Sequence, residues 1–373
     1  MSETADDIAR SGAVLPGDAI PIIDCDVHPS AHSRPVEKYI PAEFREALRQ
    51  GMGTQPGQGY QNPFGVQRRD AACDDPEQTG RDLLDRYGMA YGVLQPPGLS
   101  ASLSVNIDAG SAKARAWNDW QAAEWMDEDD RYLGSICVNV NDPEEAAREV
   151  RRAKALHPRF AQVVVGGESC DLYGHRRYYP IYEACAEYGL PFALHPGTEG
   201  ALRSSTPVGR PSGYFEWHTS IPLTFQAHVI SMVTEGVFEK FPSLKLVLVE
   251  GGVAWLAHTM WRLDKNFKSL RSTTPWLKRT PSEYIVEHVR LTTQPLEEPQ
   301  NPEHLLQVFD MISAERTVCF ASDFPHWDFD DPRRVFPRQM DPDLRRRILY
   351  DNAAELYGLP SLEETRARMA AKG

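Results

Sequence analysis

The sequence predicts an α/β fold, a (β/α)8 barrel of the TIM type, with long loops after strands 1 and 5. Three observations carry this. Eight short apolar or β-branched runs alternate with helical patterns from one end of the 373-residue chain to the other, as parallel strands joined by crossover helices do. Many of the runs are continuously apolar rather than alternating, which suits strands covered on both faces. No Gly-rich linker divides the chain, and no repeat recurs at a solenoid period. The strand count matches a closed barrel; an open doubly wound sheet is the alternative.

The strand runs fall at 20–26, 91–95, 133–139, 160–165, 192–195, 245–250, 289–293 and 317–323. Helical patterns occupy 79–87, 111–128, 143–156, 180–188, 221–240, 253–270, 302–312 and 342–356. Asn141-Asp142-Pro143 opens one helix, and Gly189 and Gly358 close two others, the usual asymmetry of polar or Pro starts and Gly stops. Two segments break the rhythm. Residues 29–78 include the Gly/Gln-rich stretch Gly51–Gly59, and residues 196–220 carry Gly197, Gly200, Gly209 and Gly213. Both follow strands, so in a barrel both emerge on the catalytic face and are expected to cover its mouth. The chain thus divides into a polar N-terminal tail (1–19), a single barrel domain (20–360) and a C-terminal tail (361–373).

Hydrophobic residues at 41% and charged residues at 25% describe an ordinary globular protein. The net charge of −13 argues against a nucleic-acid partner, which needs a concentrated basic surface. The basic run Arg345-Arg346-Arg347 lies in an amphipathic helical pattern and reads as a solvated face. No apolar run approaches the roughly 20 residues of a membrane span, and the first 19 residues carry no basic and apolar signal pattern. The expectation is a cytoplasmic protein. Its six cysteines, Cys25, Cys73, Cys137, Cys170, Cys185 and Cys319, are scattered without a C-x-x-C pair and read as free thiols in a reducing compartment.

Ionisable residues gather at the strand ends. The first strand runs into Asp24-Cys25-Asp26-Val27-His28, where alternation puts Asp24, Asp26 and His28 on one face. The fifth ends at His195, the sixth at Glu250 and the eighth at Asp323, with His326 three residues on. A lone His after a strand is commonly structural, and a lone Asp there is commonly a helix cap. Carboxylates and imidazoles at the ends of four different strands are harder to assign to packing, because buried carboxylates cost several kcal/mol unless paired or cation-bound. The set reads as the first shell of one divalent metal ion.

These motifs resemble the amidohydrolase superfamily, and within it the amidohydrolase-related family that includes aminocarboxymuconate-semialdehyde, resorcylate and carboxyvanillate decarboxylases. The resemblance spans most of the chain. It runs from D-x-D-x-H and Leu83-Leu84-Asp85-Arg86-Tyr87-Gly88 through His195-Pro196-Gly197 and Phe238-Glu239-Lys240-Phe241-Pro242-Ser243-Leu244-Lys245. It continues with Glu250-Gly251-Gly252, Ser322-Asp323-Phe324-Pro325-His326 and Asn352-Ala353-Ala354. It implies metal ligation by His28, His195 and Asp323. Asp26 stands where the family carries the first His of H-x-H; it is still expected to ligate, and it shifts the preference from zinc toward manganese or iron. Glu250 stands where many relatives carry an acid/base His; it either replaces that group or becomes a direct metal ligand.

The leading expectation is a hydrolase of an amide, ester or lactone of a small organic molecule. Metal-bound water would attack, Asp323 would take its proton, and Glu250 or His326 would assist. The alternative is a non-oxidative decarboxylase or hydratase of an aromatic or dienoic acid. A third reading is a non-catalytic binding protein with a degenerate site. His218, Trp327, Arg203 and Arg210 are the substrate-binding candidates, the two arginines as carboxylate clamps. Glu216 is a weaker candidate for the mouth, and His228 and Arg262, inside helices, read as structural. The resemblance also implies a homodimer.

Overall fold

The computed structural model describes residues 20–31, 34–49, 73–198, 206 and 208–372. Eight parallel strands pair in sequence order: β1 (Ile22–Val27), β2 (Met89–Leu94), β3 (Tyr132–Cys137), β4 (Phe160–Gly166), β5 (Phe192–His195), β6 (Leu246–Leu248), β7 (Val289–Thr292) and β8 (Val318–Cys319). The chain after β8 returns to β1, so the sheet closes as a barrel. Cys25 N donates to Phe320 O (3.1 Å), His28 N donates to Phe324 O (2.8 Å), and Val27 bridges Phe324 in parallel. Every strand residue is buried except the half-buried Arg290, which is why the runs are apolar without alternation.

All eight expected strands are present. The last is shorter than its apolar run, because Thr317 belongs to the short helix Ala314–Thr317 and donates its hydroxyl to Ile312 O (2.9 Å). Beyond Cys319, side chains replace the ladder: Ala321 N donates to Thr293 Oγ1 (3.0 Å) and Ser322 N to Asp24 Oδ1 (2.9 Å). Buried backbone N–H groups need such partners when no strand supplies them.

The helix expected at 221–240 is two helices. Tyr214–Thr234 begins seven residues before Ile221 and carries Pro222 in its interior, and Gly236, at φ 74°, starts Val237–Lys240. Pro222 looks like a first-turn proline in the sequence. The extra upstream turns hold because they bury Trp217, which is 5% exposed. The connection 29–78 is not wholly irregular, since Ala42–Arg49 and Pro76–Thr79 are helical; Gly51–Gly59 lie outside the described residues. Pro281–His288 is a further helix, opened by a capping box between Thr280 and Glu283. In the C-terminal segment Leu362–Lys372 is helical and packs on the barrel, with Thr365 bonded to Tyr350 Oη (2.5 Å) and Arg368 donating to Tyr91 Oη (2.6 Å). No helix among the described residues is long and apolar enough to cross a membrane.

Candidate metal centre

The carboxyl ends of β1, β5, β6 and β8 bring Asp26, His28, His195, Glu250 and Asp323 to one end of the barrel. His28 Nε2 lies 3.1 Å from Asp26 Oδ1 and 2.9 Å from Asp323 Oδ1. His195 Nε2 lies 3.6 Å from Asp26 Oδ1 and 3.2 Å from Glu250 Oε2. Asp26, His28, His195 and Glu250 each offer a ligand atom within 4.8 Å of the others, and so do His28, Asp323 and His326. His28 thus joins the two groups.

The backbone aims these side chains at some cost. Glu250 (φ 64°) and Asp323 (φ 59°) sit in the left-handed region, which costs of order 1–3 kcal/mol for a non-Gly residue and persists where surroundings enforce it. Glu250 N is held by Thr292 Oγ1 (2.9 Å). Behind it, a Cβ on Gly251 would stand 2.4 Å from the Phe225 ring, so only glycine lets the turn close. His195 Nδ1 lies 2.8 Å from Pro196 O; it must donate there, which leaves the Nε2 lone pair facing Asp26 and Glu250.

The donor set fits a divalent ion. Both oxygens of Asp26 and of Glu250, and Nε2 of His28 and of His195, are buried and make no hydrogen bond, a state that polar atoms do not tolerate without a partner. Ligands about 2.0–2.2 Å from one ion and at right angles stand roughly 3 Å apart, close to the spacings seen. The electrostatics of the groups agree. Burial favours the neutral ring of His28, but Asp26 and Asp323 outweigh it and push its pKa up to about 10. Burial also opposes ionisation of Asp26 and Asp323, yet the facing imidazoles hold both below the usual carboxylate range. Glu250 is pushed well above that range by burial and by the charges of Asp323, Asp26 and Asp328. The neighbouring carboxylates raise Glu250 by their charge, and a bound cation would offset that repulsion.

Asp323 is the most supported of these groups. Its Oδ1 lies 2.7 Å from His326 Nδ1, and Gln294 Nε2 donates to its Oδ2 (3.2 Å). The His326 and His28 rings lie 4.1 Å apart. His218 reaches the same mouth from the helix Tyr214–Thr234, with Nε2 3.4 Å from Asp328 Oδ2 and 4.0 Å from Glu250 Oε1. Trp327 lies 5.7 Å from the His218 ring and is 47% exposed.

Other candidates do not join the cluster. Arg210 is exposed, as is Arg262, and Arg203 lies outside the described residues. Glu216 is exposed and bonded to Ser212 (2.8 Å). His228 is structural: Tyr173 N donates to its Nδ1 (3.1 Å), and its Nε2 meets Gly167 O (2.6 Å). Asp24, matched by alternation to Asp26, is committed to Ser322 and to Asp26 N instead.

Two site residues escape sequence reasoning. Gln294 follows β7 in Thr292-Thr293-Gln294-Pro295, a polar run at a strand end, and that placement was the available signal. Asp328 belongs to Asp328-Phe329-Asp330-Asp331, which looks like a solvated turn. Its carboxylate is buried with neither oxygen hydrogen-bonded, and burial raises its pKa.

A closed parallel barrel with carboxylates and imidazoles that could hold a cation gathered at its carboxyl end is an enzyme architecture. The chain belongs to the amidohydrolase family, whose model matches residues 23–359. It is 26% identical over 292 residues to a gamma-resorcylate decarboxylase of a Polaromonas species, an alignment covering 74% of this chain and 86% of the relative. It is 22% identical over 264 residues to the 2-amino-3-carboxymuconate-6-semialdehyde decarboxylase of Dictyostelium discoideum, covering 69% of this chain and 68% of the relative. Among solved structures, a 5-carboxyvanillate decarboxylase of Novosphingobium aromaticivorans, complexed with manganese and a nitrobenzoic acid, superposes with a TM-score of 0.70 at 18% identity. That match covers 92% of this chain and 98% of the other. The dihydroxybenzoic acid decarboxylase of Polaromonas, with bound manganese and 2-nitroresorcinol, gives 0.65 at 20% identity over 91% and 97%. The leading hydrolase expectation finds no support in these relatives, which are decarboxylases.

Proposed function

We propose that this protein is a divalent-metal-dependent, non-oxidative decarboxylase of a hydroxylated aromatic or dienoic carboxylic acid. One observation carries the reading: Asp26, His28 and His195 converge with buried ligand atoms lacking hydrogen bonds, and Asp323 stands 2.9 Å from His28, in a chain whose relatives are decarboxylases. Those four residues would hold the ion, with manganese favoured by the carboxylates at positions 26 and 323. A divalent ion bound there would polarise a substrate oxygen and hold the acid by chelation.

The reaction breaks the bond between the ring carbon and the carboxyl carbon, releases CO2 and leaves the bonding pair on the ring carbon, which must take a proton. Asp323 is placed to relay that proton from His326, 2.7 Å away, while Gln294 fixes its second oxygen. His218 and Trp327 face the mouth together, one polar and one flat, and suit a planar ring bearing hydroxyl groups. The same barrel end limits water access to the cluster, since Asp26, Glu250 and Asp323 are all at most 1% exposed.

The test is direct. Manganese-loaded protein is offered 2,6-dihydroxybenzoate and 5-carboxyvanillate while released CO2 and the aromatic absorbance are followed. Metal-dependent CO2 release from at least one hydroxylated aromatic acid is expected. Cleavage of an ester or lactone panel without CO2 release from any such acid overturns the reading.

A further inference from the structure

We infer that Glu250 is a ligand of the metal, through Oε2, and not a proton-handling group. This rests on the metal-dependent reading above and concerns which side chains complete that shell. Glu250 meets the geometric demands of a ligand. Its Oε2 lies 3.2 Å from His195 Nε2, the nitrogen whose lone pair faces the cluster because Nδ1 is committed to Pro196 O. Its ligand atom falls within 4.8 Å of those offered by Asp26, His28 and His195. Neither of its oxygens is hydrogen-bonded, and both are buried.

Glu250 lacks what a proton shuttle needs. Asp323 has a hydrogen-bonded imidazole at 2.7 Å and an amide donor on its other oxygen; Glu250 has neither. It is also rigidly set, with its amide tied to Thr292 Oγ1 and the following glycine wedged against Phe225. A fixed carboxylate with no hydrogen-bonded relay, His218 standing 4.0 Å from its Oε1, and turned toward two imidazoles and another carboxylate, is a ligand arrangement.

The consequence is a shell of three carboxylates and two imidazoles: Asp26, Glu250, Asp323, His28 and His195. Five protein donors exceed the four of a closed tetrahedral zinc site, and three hard oxygens suit an ion of higher coordination such as manganese. Position 250 therefore sets metal choice in this chain.

The experiment measures manganese and zinc dissociation constants by chelator competition, with metal content after dialysis, for wild type and for the variants Glu250→Gln and Glu250→His. Manganese EPR spectra of the loaded proteins accompany them. Glu250→Gln is expected to weaken manganese binding by at least about 100-fold, the upper end of what losing an outer-shell partner does. Glu250→His restores a donor of softer type, so the manganese-to-zinc affinity ratio is expected to swing toward zinc by about tenfold or more. Manganese binding by Glu250→Gln within about threefold of wild type overturns the inference while leaving the decarboxylase reading intact. Should that variant fail to fold, an unchanged manganese-to-zinc ratio in Glu250→His overturns it equally. A wild-type protein that binds no divalent ion overturns both the inference and the reading beneath it.

Discussion

Replacing Asp323 by Asn tests the chemistry with the least disturbance to the fold. The side chain is fully buried and takes part in three polar contacts: His326 Nδ1 at 2.7 Å, His28 Nε2 at 2.9 Å and Gln294 Nε2 at 3.2 Å. Hydrogen bonds to a charged partner are worth about 1.5–3 kcal/mol each, so losing the charge weakens the two with His326 and Gln294 and removes the ion pair with His28. Against this, the amide removes a buried charge whose desolvation costs several kcal/mol. The backbone adds nothing, because Asn tolerates φ 59° as readily as Asp does. The terms nearly cancel, and the metal-free variant is expected within ~2 kcal/mol of wild type, a shift of a few degrees in Tm. Turnover is another matter. An amide has almost no basicity, so kcat is expected to fall by ~10²–10⁴, or about 3–5 kcal/mol of barrier. Circular-dichroism melts and metal content establish folding and loading, and CO2 release reads the activity. A folded, loaded variant that keeps turnover within about threefold of wild type refutes the assignment and moves the proton to His326.

Other predictions follow from particular contacts. Metal binding should displace at least one proton per ion at pH 7, because His28, held protonated up to about 10 in the metal-free cluster, must lose its proton to ligate; calorimetry in buffers of different ionisation enthalpy measures this, and zero release refutes it. Asp328→Asn removes the carboxylate 3.4 Å from His218, so KM is expected to rise several-fold with a smaller change in kcat, and equal losses in both would assign Asp328 to the chemical step. His228 is held neutral, its pKa lowered to about 4 by burial. The unfolded chain therefore binds more protons between pH 6.5 and 4, and stability present above 6.5 is lost as pH falls through that window, by up to ~3 kcal/mol. Denaturant midpoints of wild type and His228→Gln should converge as pH drops from 7 to 4, and parallel curves would show that another group carries the acid sensitivity.

The strands were legible because both faces of each are buried, which leaves an uninterrupted apolar run that a half-exposed strand lacks. What the run does not reveal is where the ladder stops. Residues 317–323 look like one strand, yet Thr317 ends a helix and Ala321 and Ser322 bond to side chains of Thr293 and Asp24. Those bonds link residues up to 298 positions apart, and no local pattern encodes them. Helix Leu362–Lys372 was missed for a related reason. It is fastened by Thr365 and Arg368, one hydroxyl and one guanidinium, with only Leu362 and Met369 packed on the core, too few apolar positions for a helical stripe to show in the sequence. Pro281–His288 is different, since Thr280-Pro281-Ser282-Glu283 spells a capping box in the sequence.

The site was legible to the extent that barrel topology turns strand ends into neighbours. Once eight parallel strands are granted, Asp26, His195 and Asp323 must share one rim whatever their separation in sequence. Side-chain direction at that rim does not follow from strand periodicity, because Glu250 and Asp323 lie just past the paired residues with left-handed backbone. Alternation would have treated Asp24 and Asp26 alike, yet Asp24 ties β1 to Ser322 while Asp26 keeps both oxygens unbonded. The distinction comes from the register shift between Asp24 and Val27 and from which hydrogen-bond donors happen to stand opposite. Asp24 meets a hydroxyl and two amides and becomes structural; Asp26 meets the imidazoles His28 and His195 and stays available to a cation. A carboxylate's role in this barrel is thus decided by the donors facing it, and those are assembled only when β8 returns to β1.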